Sequence, residues 1–118
     1  MKVVQLIIDA HGCTSHILNN EKLLLKILKN SVKLVNAKIV KENVYKYKPY
    51  GVSITLFLAE THISIFTWPE FKYATIEIFL CNEKMNPLKV WKFIKKKIKP
   101  KKFKLRKFVH LIGNKKFS

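Results

Sequence analysis

Three neighbouring stretches of the sequence alternate apolar and polar residues with the period of two that is typical of β-strands. They cover residues 52–59, 62–67 and 73–80. The signals that border them are the turn Tyr50-Gly51 and the pair Trp68-Pro69. Because alternate side chains of a strand point to opposite faces, these stretches predict three strands that share one buried face. The middle of the chain is therefore predicted to be sheet.

The flanking segments add three further strands and two helices. Strands are predicted at residues 3–10, 37–47 and 102–109. Helical spacing starts after Asn19 or Asn20 and again at Asn86-Pro87, and the second helix stops before Pro100. The residues predicted to face the core are Leu24, Ile27, Leu28, Ser31, Leu34 and Val35 in the first helix, and Leu88, Trp91, Ile94 and Ile98 in the second.

The resulting order, β-α-β-β-β-β-α-β, predicts an α+β two-layer sandwich. Its antiparallel sheet would carry two helices packed on one face. A chain of 118 residues with 48% hydrophobic content is long enough for one core, so residues 1–118 are expected to form a single domain. No apolar run is long enough to span a bilayer, and the N-terminal residues lack a signal-peptide pattern. We expect a cytoplasmic protein that does not enter the membrane.

Metal binding has little support in the sequence. The two cysteines, Cys13 and Cys81, match no zinc spacing, and a lone disulfide is uncommon in a cytosolic chain. We therefore expect no metal site.

The chain is strongly basic, with 24 Lys and Arg residues against 7 acids and a net charge of +17. Residues 89–107 alone hold eleven basic residues and no acid. Such a segment would attract phosphate polymers or anionic lipid. The alternative is that lysine covers solvent-exposed faces without a specific role, because the Gly-aromatic motifs of RNA-binding domains are absent.

Residues 59–70 are unusually polar for a segment between two apolar strands. They read Ala59-Glu60-Thr61-His62-Ile63-Ser64-Ile65-Phe66-Thr67-Trp68-Pro69-Glu70. This stretch resembles the signature of the small prokaryotic S-adenosylmethionine decarboxylase proenzymes, which depend on a pyruvoyl group. The resemblance continues upstream through residues 49–53 and downstream through residues 71–74 to Cys81, in the order and spacing of that family.

The resemblance implies that the chain cleaves itself between Glu60 and Thr61 and so generates its own electrophilic group. Thr61 stands where the family has its cleavage serine, and elimination from it would yield a 2-oxobutyryl group instead of pyruvoyl. Phe66 replaces a family histidine that takes a proton during elimination, which a phenyl ring cannot do. His62 is expected on the opposite strand face from Thr61, where it is a poor substitute.

The resemblance also implies roles for five other residues. Ser53 would assist processing and Cys81 would donate a proton after decarboxylation. Tyr47 would stack on adenine, Glu70 would hold the ribose hydroxyls, and Asp9 would lie near the active site. Taken one by one, these residues also fit ordinary strand, turn or loop positions.

Three functional hypotheses follow. The first is an enzyme of polyamine (spermidine) biosynthesis, with slow or altered decarboxylase activity built on Thr61, acting on S-adenosylmethionine or a related nucleoside or amino acid. The second is an uncleaved homologue that binds a nucleoside or serves as a regulatory subunit. The third is a basic nucleic-acid-associated protein that uses residues 89–107. The resemblance further implies a homodimer, whereas the second hypothesis would pair the chain with an active paralogue.

Overall fold

The computed structural model describes residues 1–81 and 84–113 of the chain. Its strands are β1 (Lys2–His11), β2 (Ile39–Lys46), β3 (Val52–Leu58), β4 (His62–Trp68), β5 (Tyr73–Leu80) and β6 (Lys102–Leu111). Its helices are α1 (Ser15–Leu18), α2 (Glu21–Lys33) and α3 (Pro87–Ile98), and a single 3-10 turn covers Pro69–Phe71. The α+β class and the two main helices are confirmed.

All six strands belong to one sheet in the order β2-β3-β4-β5-β1-β6, and every neighbouring pair is antiparallel. The register places four isoleucines in one row across the middle of the sheet, and each is at most 1% exposed. They are Ile54, Ile65, Ile76 and Ile8. Helices α2 and α3 cover the face of the sheet that carries this row, and both contribute side chains to the same core.

Each main helix begins at an asparagine that caps it, as the sequence predicts. The Asn20 side chain accepts a hydrogen bond from the backbone N–H of Leu23 at 3.1 Å, and Asn86 accepts one from Leu88 at 2.9 Å. These bonds satisfy backbone donors that the first helical turn leaves without partners. The caps therefore fix where the helices start over the sheet.

Two residues that were predicted to face the core are exposed. Leu34 is 50% exposed because it follows the last residue of α2, where the chain leaves the sheet. Leu88 is 44% exposed because Pro87, Val90 and Trp91 occupy the inward side of the first turn of α3. The sequence also did not predict α1, because four residues are too few to show a helical period. None of the helices in the described part has the length and apolar composition needed to cross a bilayer.

Thr67 connects the sheet to the helical layer. Its side chain is 5% exposed and accepts a hydrogen bond from the Val52 N–H at 2.9 Å. The same hydroxyl donates to the carbonyl oxygen of Leu18, at the end of α1, at 2.8 Å. One buried hydroxyl thus joins β4, the start of β3 and α1, which positions the loop before β3.

Thr67→Val keeps the side-chain shape but leaves the buried N–H of Val52 and the carbonyl of Leu18 without this partner. We expect the free energy of unfolding to fall by about 2 to 4 kcal/mol, measured by urea denaturation. The matched control is Thr75→Val, because the half-buried Thr75 hydroxyl has no hydrogen-bond partner among the described residues. Equal stability of the two variants would contradict this role of Thr67.

Candidate functional site

The Glu60-Thr61 peptide lies in the turn between β3 and β4, outside the strand pairing. The pairing of these strands stops at Phe57 and His62. Two backbone hydrogen bonds close the turn, from the Leu58 N–H to the Thr61 carbonyl at 2.7 Å and from the Ala59 N–H to the Lys38 carbonyl at 3.0 Å. The junction between Glu60 and Thr61 is therefore held in position without being locked into a strand.

Cys81 lies beside this junction, directly after β5. Its thiol donates a hydrogen bond to a carboxylate oxygen of Glu60, with a sulfur–oxygen distance of 2.6 Å. Burial, followed by the hydrogen bond to Glu60 and that carboxylate's negative charge, raises the pKa of the Cys81 thiol to about 11. The thiol is therefore protonated at neutral pH. We call Glu60, Thr61 and Cys81 the cleavage cluster.

The cleavage cluster borders a small cavity of about 100 Å³. Apart from the cluster, its lining includes the apolar side chains of Leu58, Leu80 and Met85 and the side chain of Lys38. No carboxylate of the described residues lies within ion-pair distance of Lys38. The sequence did not point to Lys38, which precedes β2 and reaches the turn only through the pairing of β2 with β3.

A second group of predicted residues lies at the other end of β3 and β4. Tyr47, Ser53, Phe66 and Glu70 line one cavity of about 500 Å³, and Trp68 and Tyr50 add further aromatic surface to it. We call the first four residues the aromatic cluster. Ser53 lies directly opposite Phe66 in the strand pairing, and its hydroxyl donates to the Tyr47 hydroxyl at 3.0 Å. The Phe66 ring is 40% exposed and forms part of the cavity wall.

The two clusters do not meet within one chain. Phe66 follows Thr61 by five residue steps along β4, which corresponds to about 16 Å in an extended strand. Ser53, Glu70 and Cys81, to which the resemblance assigns roles in processing and catalysis, are divided between the two cavities. The larger cavity has room for a nucleoside, whereas the smaller one has room only for a few atoms beside Thr61.

Asp9 lies on the face of the sheet that carries no helix, which we call the open face. The Tyr73 hydroxyl donates to one of its carboxylate oxygens at 2.6 Å, and Arg106 donates to the other at 3.1 Å. The hydrogen bond from Tyr73 and the charge of Arg106 lower the pKa of Asp9, while burial and Asp9 raise the pKa of Tyr73 to about 12. Asp9 is in the same transverse row as Phe66, two strands away.

His62 also lies on the open face, where its Nε2 atom is 2.7 Å from a carboxylate oxygen of Glu77. It is not among the residues that line the cavity at Thr61. The imidazole therefore contacts Glu77 and does not line the cavity beside the Glu60-Thr61 peptide. Within residues 1–81 and 84–113, no group of three or more His, Cys, Asp or Glu side chains is arranged to hold a metal ion.

Comparison with known proteins matches this chain to one family. A family model described as S-adenosylmethionine decarboxylase matches residues 4–110. The S-adenosylmethionine decarboxylase proenzyme of Pyrobaculum islandicum is 36% identical over 95 residues, which cover 80% of this chain and 76% of that protein. The proenzyme of Thermotoga maritima is 34% identical over 97 residues, covering 82% and 75% respectively.

A solved structure supports the same assignment. The crystal structure of the adenosylmethionine decarboxylase from Aquifex aeolicus superimposes with a TM-score of 0.81 at 26% sequence identity, covering 92% of this chain and 88% of that one. The matched region includes both clusters described above. This chain therefore belongs to the S-adenosylmethionine decarboxylase family.

Proposed function

We propose that this protein is a self-cleaving decarboxylase of polyamine biosynthesis that is slow or altered relative to its family. The observation that carries the proposal is the Glu60-Thr61 junction, which lies in a turn, borders a cavity and has the Cys81 thiol beside it. The relatives at 34–36% identity are described as proenzymes, which is the form that such a junction requires.

Cleavage would use atoms of this chain and one water molecule. The Thr61 Oγ1 atom attacks the carbonyl carbon of Glu60 and displaces the Thr61 nitrogen, so that an ester replaces the amide. Loss of the Thr61 Cα proton then breaks the Cβ–O bond and releases Glu60 as a carboxylate. Water hydrolyses the imine tautomer of the remaining dehydro residue, which releases ammonia and leaves a 2-oxobutyryl group.

Threonine should make these steps slower than serine would. Its branched Cβ has fewer rotamers from which the hydroxyl reaches the carbonyl carbon, and its extra methyl group crowds the resulting ketone. Phe66 removes an acid–base group from the aromatic cluster, and general base catalysis is worth roughly 10²–10⁴ in rate. Both substitutions lower the rate without removing the hydroxyl nucleophile.

Once formed, the keto group would supply an electron sink for decarboxylation of a bound amine substrate. The chain's own residues would bind and orient that substrate. Tyr47 offers a ring face for adenine, and Glu70 offers a carboxylate for ribose hydroxyls. The raised pKa of Cys81 keeps its proton available at neutral pH, so the thiol suits the role of proton donor.

We further propose that the active unit is a homodimer with composite sites. The cleavage cluster of one copy would face the aromatic cluster of the other, because the two clusters are about 16 Å apart within one chain. The open face carries exposed aromatic side chains that such a contact would bury. Phe57, Phe66, Trp68 and Phe108 are each between 40% and 44% exposed there.

An uncleaved ligand-binding protein is the second candidate. Phe66 favours it, because a phenyl ring faces the larger cavity where the family has a proton-transferring histidine. In that case the aromatic cluster would bind a nucleoside without turnover, and the chain would serve as a regulatory subunit, alone or paired with an active paralogue.

Cleavage is tested by intact mass on purified protein during prolonged incubation. Wild type should slowly give fragments 1–60 and 61–118, the second blocked by a keto group. Thr61→Ser should cleave roughly fivefold faster, since removing a rotamer penalty of about 1 kcal/mol has that effect. Thr61→Val, without a hydroxyl, is the control that stays intact.

Phe66→His supplies the missing base and should accelerate cleavage by up to roughly 10²–10⁴-fold. If wild type, Thr61→Ser and Phe66→His all remain as one intact chain, the enzyme proposal fails. Binding of S-adenosylmethionine by that intact chain would then support the second candidate.

The composite site is tested by mixing two defective chains. Ser53→Ala keeps the cleavable junction but lacks the hydroxyl of the aromatic cluster, whereas Thr61→Val keeps that hydroxyl but cannot be cleaved. After co-refolding, about half of the Ser53→Ala chains should be cleaved, because half of randomly formed dimers are hybrids. Mass spectrometry distinguishes the chains. A composite site would be contradicted if the Ser53→Ala chain were cleaved when no Thr61→Val chain is present. It would also be contradicted if the Ser53→Ala chain stayed intact in the mixture.

The protonation state of the Cys81 thiol is tested by alkylation with iodoacetamide at about pH 8, because only the thiolate reacts. Glu60→Gln removes a negative charge and should lower the pKa of Cys81, and each unit of decrease raises the thiolate fraction about tenfold. Glu42→Gln is the charge-matched control, since Glu42 pairs with Lys29 at 2.8 Å. Cys13, only 1% exposed, should stay unmodified. Equal alkylation rates of Cys81 in the two variants would contradict an effect of Glu60 on the pKa of Cys81.

A further inference from the structure

The outward side of α3 carries a line of lysines. Lys89, Lys92 and Lys96 are exposed and lie opposite the buried residues Val90 and Ile94. Their spacing of three and four residues stacks them on one face over about 10 Å of helix. The sequence had grouped them with the whole of residues 89–107, but α3 separates them from the basic residues of β6.

The neighbouring helix extends this surface. α2 packs against α3 and exposes Lys22, Lys26 and Lys33 on its own outward side. These three residues and the three on α3 make up a set of six that we call the helix-layer surface: Lys22, Lys26, Lys33, Lys89, Lys92 and Lys96. All of them lie on the side of the sheet opposite to the open face.

Nearby acids do not neutralise this charge. The ion pairs within the described residues join Lys29 to Glu42, His62 to Glu77 and Arg106 to Asp9, and none includes a lysine of the helix-layer surface. Asp9 and Glu77 lie on the open face, and Glu60 and Glu70 line the two cavities. Glu21 lies in the first turn of α2, next to Lys22 in the sequence, and forms no ion pair with it. The helix-layer surface therefore presents six lysines that have no ion-pair partner among the described residues.

We propose that the helix-layer surface binds the phosphate backbone of a nucleic acid without reading its sequence. Six ammonium groups within two adjacent helices match a polymer that presents regularly spaced negative charges, and their binding would release its condensed counterions. Lysine supplies point charges and few groups that distinguish bases, so contact with phosphates is the expected mode.

The same surface does not suit a membrane. A helix that binds at a lipid interface buries its apolar side among the acyl chains. The apolar sides of α2 and α3 are already buried in the protein core. A polyanion that remains in water therefore fits this surface better than anionic lipid does. Because the surface lies away from both cavities, its binding does not depend on the proposed decarboxylase activity.

The test measures anisotropy of a labelled single-stranded oligouridylate of about 20 nucleotides, titrated with the full chain between about 50 and 200 mM salt. A duplex DNA of equal length is the second probe. The variant Lys89→Gln/Lys92→Gln/Lys96→Gln removes three charges from α3 and keeps good helix formers. The matched control, Lys41→Gln/Lys102→Gln/Lys104→Gln, removes three exposed charges from the open face.

For the single strand, the α3 variant should lower the slope of log affinity against log salt by about 2, because each phosphate contact contributes about 0.7. The control variant should leave the slope nearly unchanged. If the slope decreased equally in both variants, only the net charge of the protein would matter, and the proposal would be overturned. Binding to vesicles of equal parts phosphatidylcholine and phosphatidylserine, without binding to either oligonucleotide, would overturn it as well.

Discussion

The antiparallel register of β3, β4, β5 and β1 is the constraint on which the rest of the molecule depends. It aligns Ile54, Ile65, Ile76 and Ile8 in one buried row. A shift of one residue in any of these strands would turn its isoleucine towards the open face and a polar residue towards the helices. The helices cover the face of the sheet that carries this isoleucine row.

The same register also separates the chemical groups. The side chains that alternate with the isoleucine row, such as Ser53, Phe66 and Asp9, lie on the open face near one end of the strands. Thr61 and Cys81 lie at the opposite end, beyond the last paired residues of β4 and at the end of β5. A rigid sheet cannot bring these groups together, so the reaction proposed here would need groups from a second copy of the chain. The exposed aromatic side chains of the open face are consistent with that requirement.

Thr61 and Phe66, the two positions at which the resemblance implies a substitution, fall one in each cluster, and in the proposed reaction each would affect a different step. Thr61 would be the nucleophile of the proposed cleavage, and its surroundings include the protonated Cys81 thiol and the Glu60 carboxylate. Phe66 places an apolar ring, which cannot transfer a proton, in a cavity that also contains an aromatic face and a carboxylate.

The sequence by itself determined the strands, the two long helices with their asparagine caps, and the family. These properties reside in local periodicity and in the motif of residues 59–70, which need no knowledge of distant contacts. Tertiary structure alone decided that Ser53 and Cys81 line different cavities, that Lys38 lies beside Thr61, and that Thr67 ties α1 to the sheet. Each of these depends on strand register and packing between residues far apart in the chain, and alternating patterns leave that pairing undetermined.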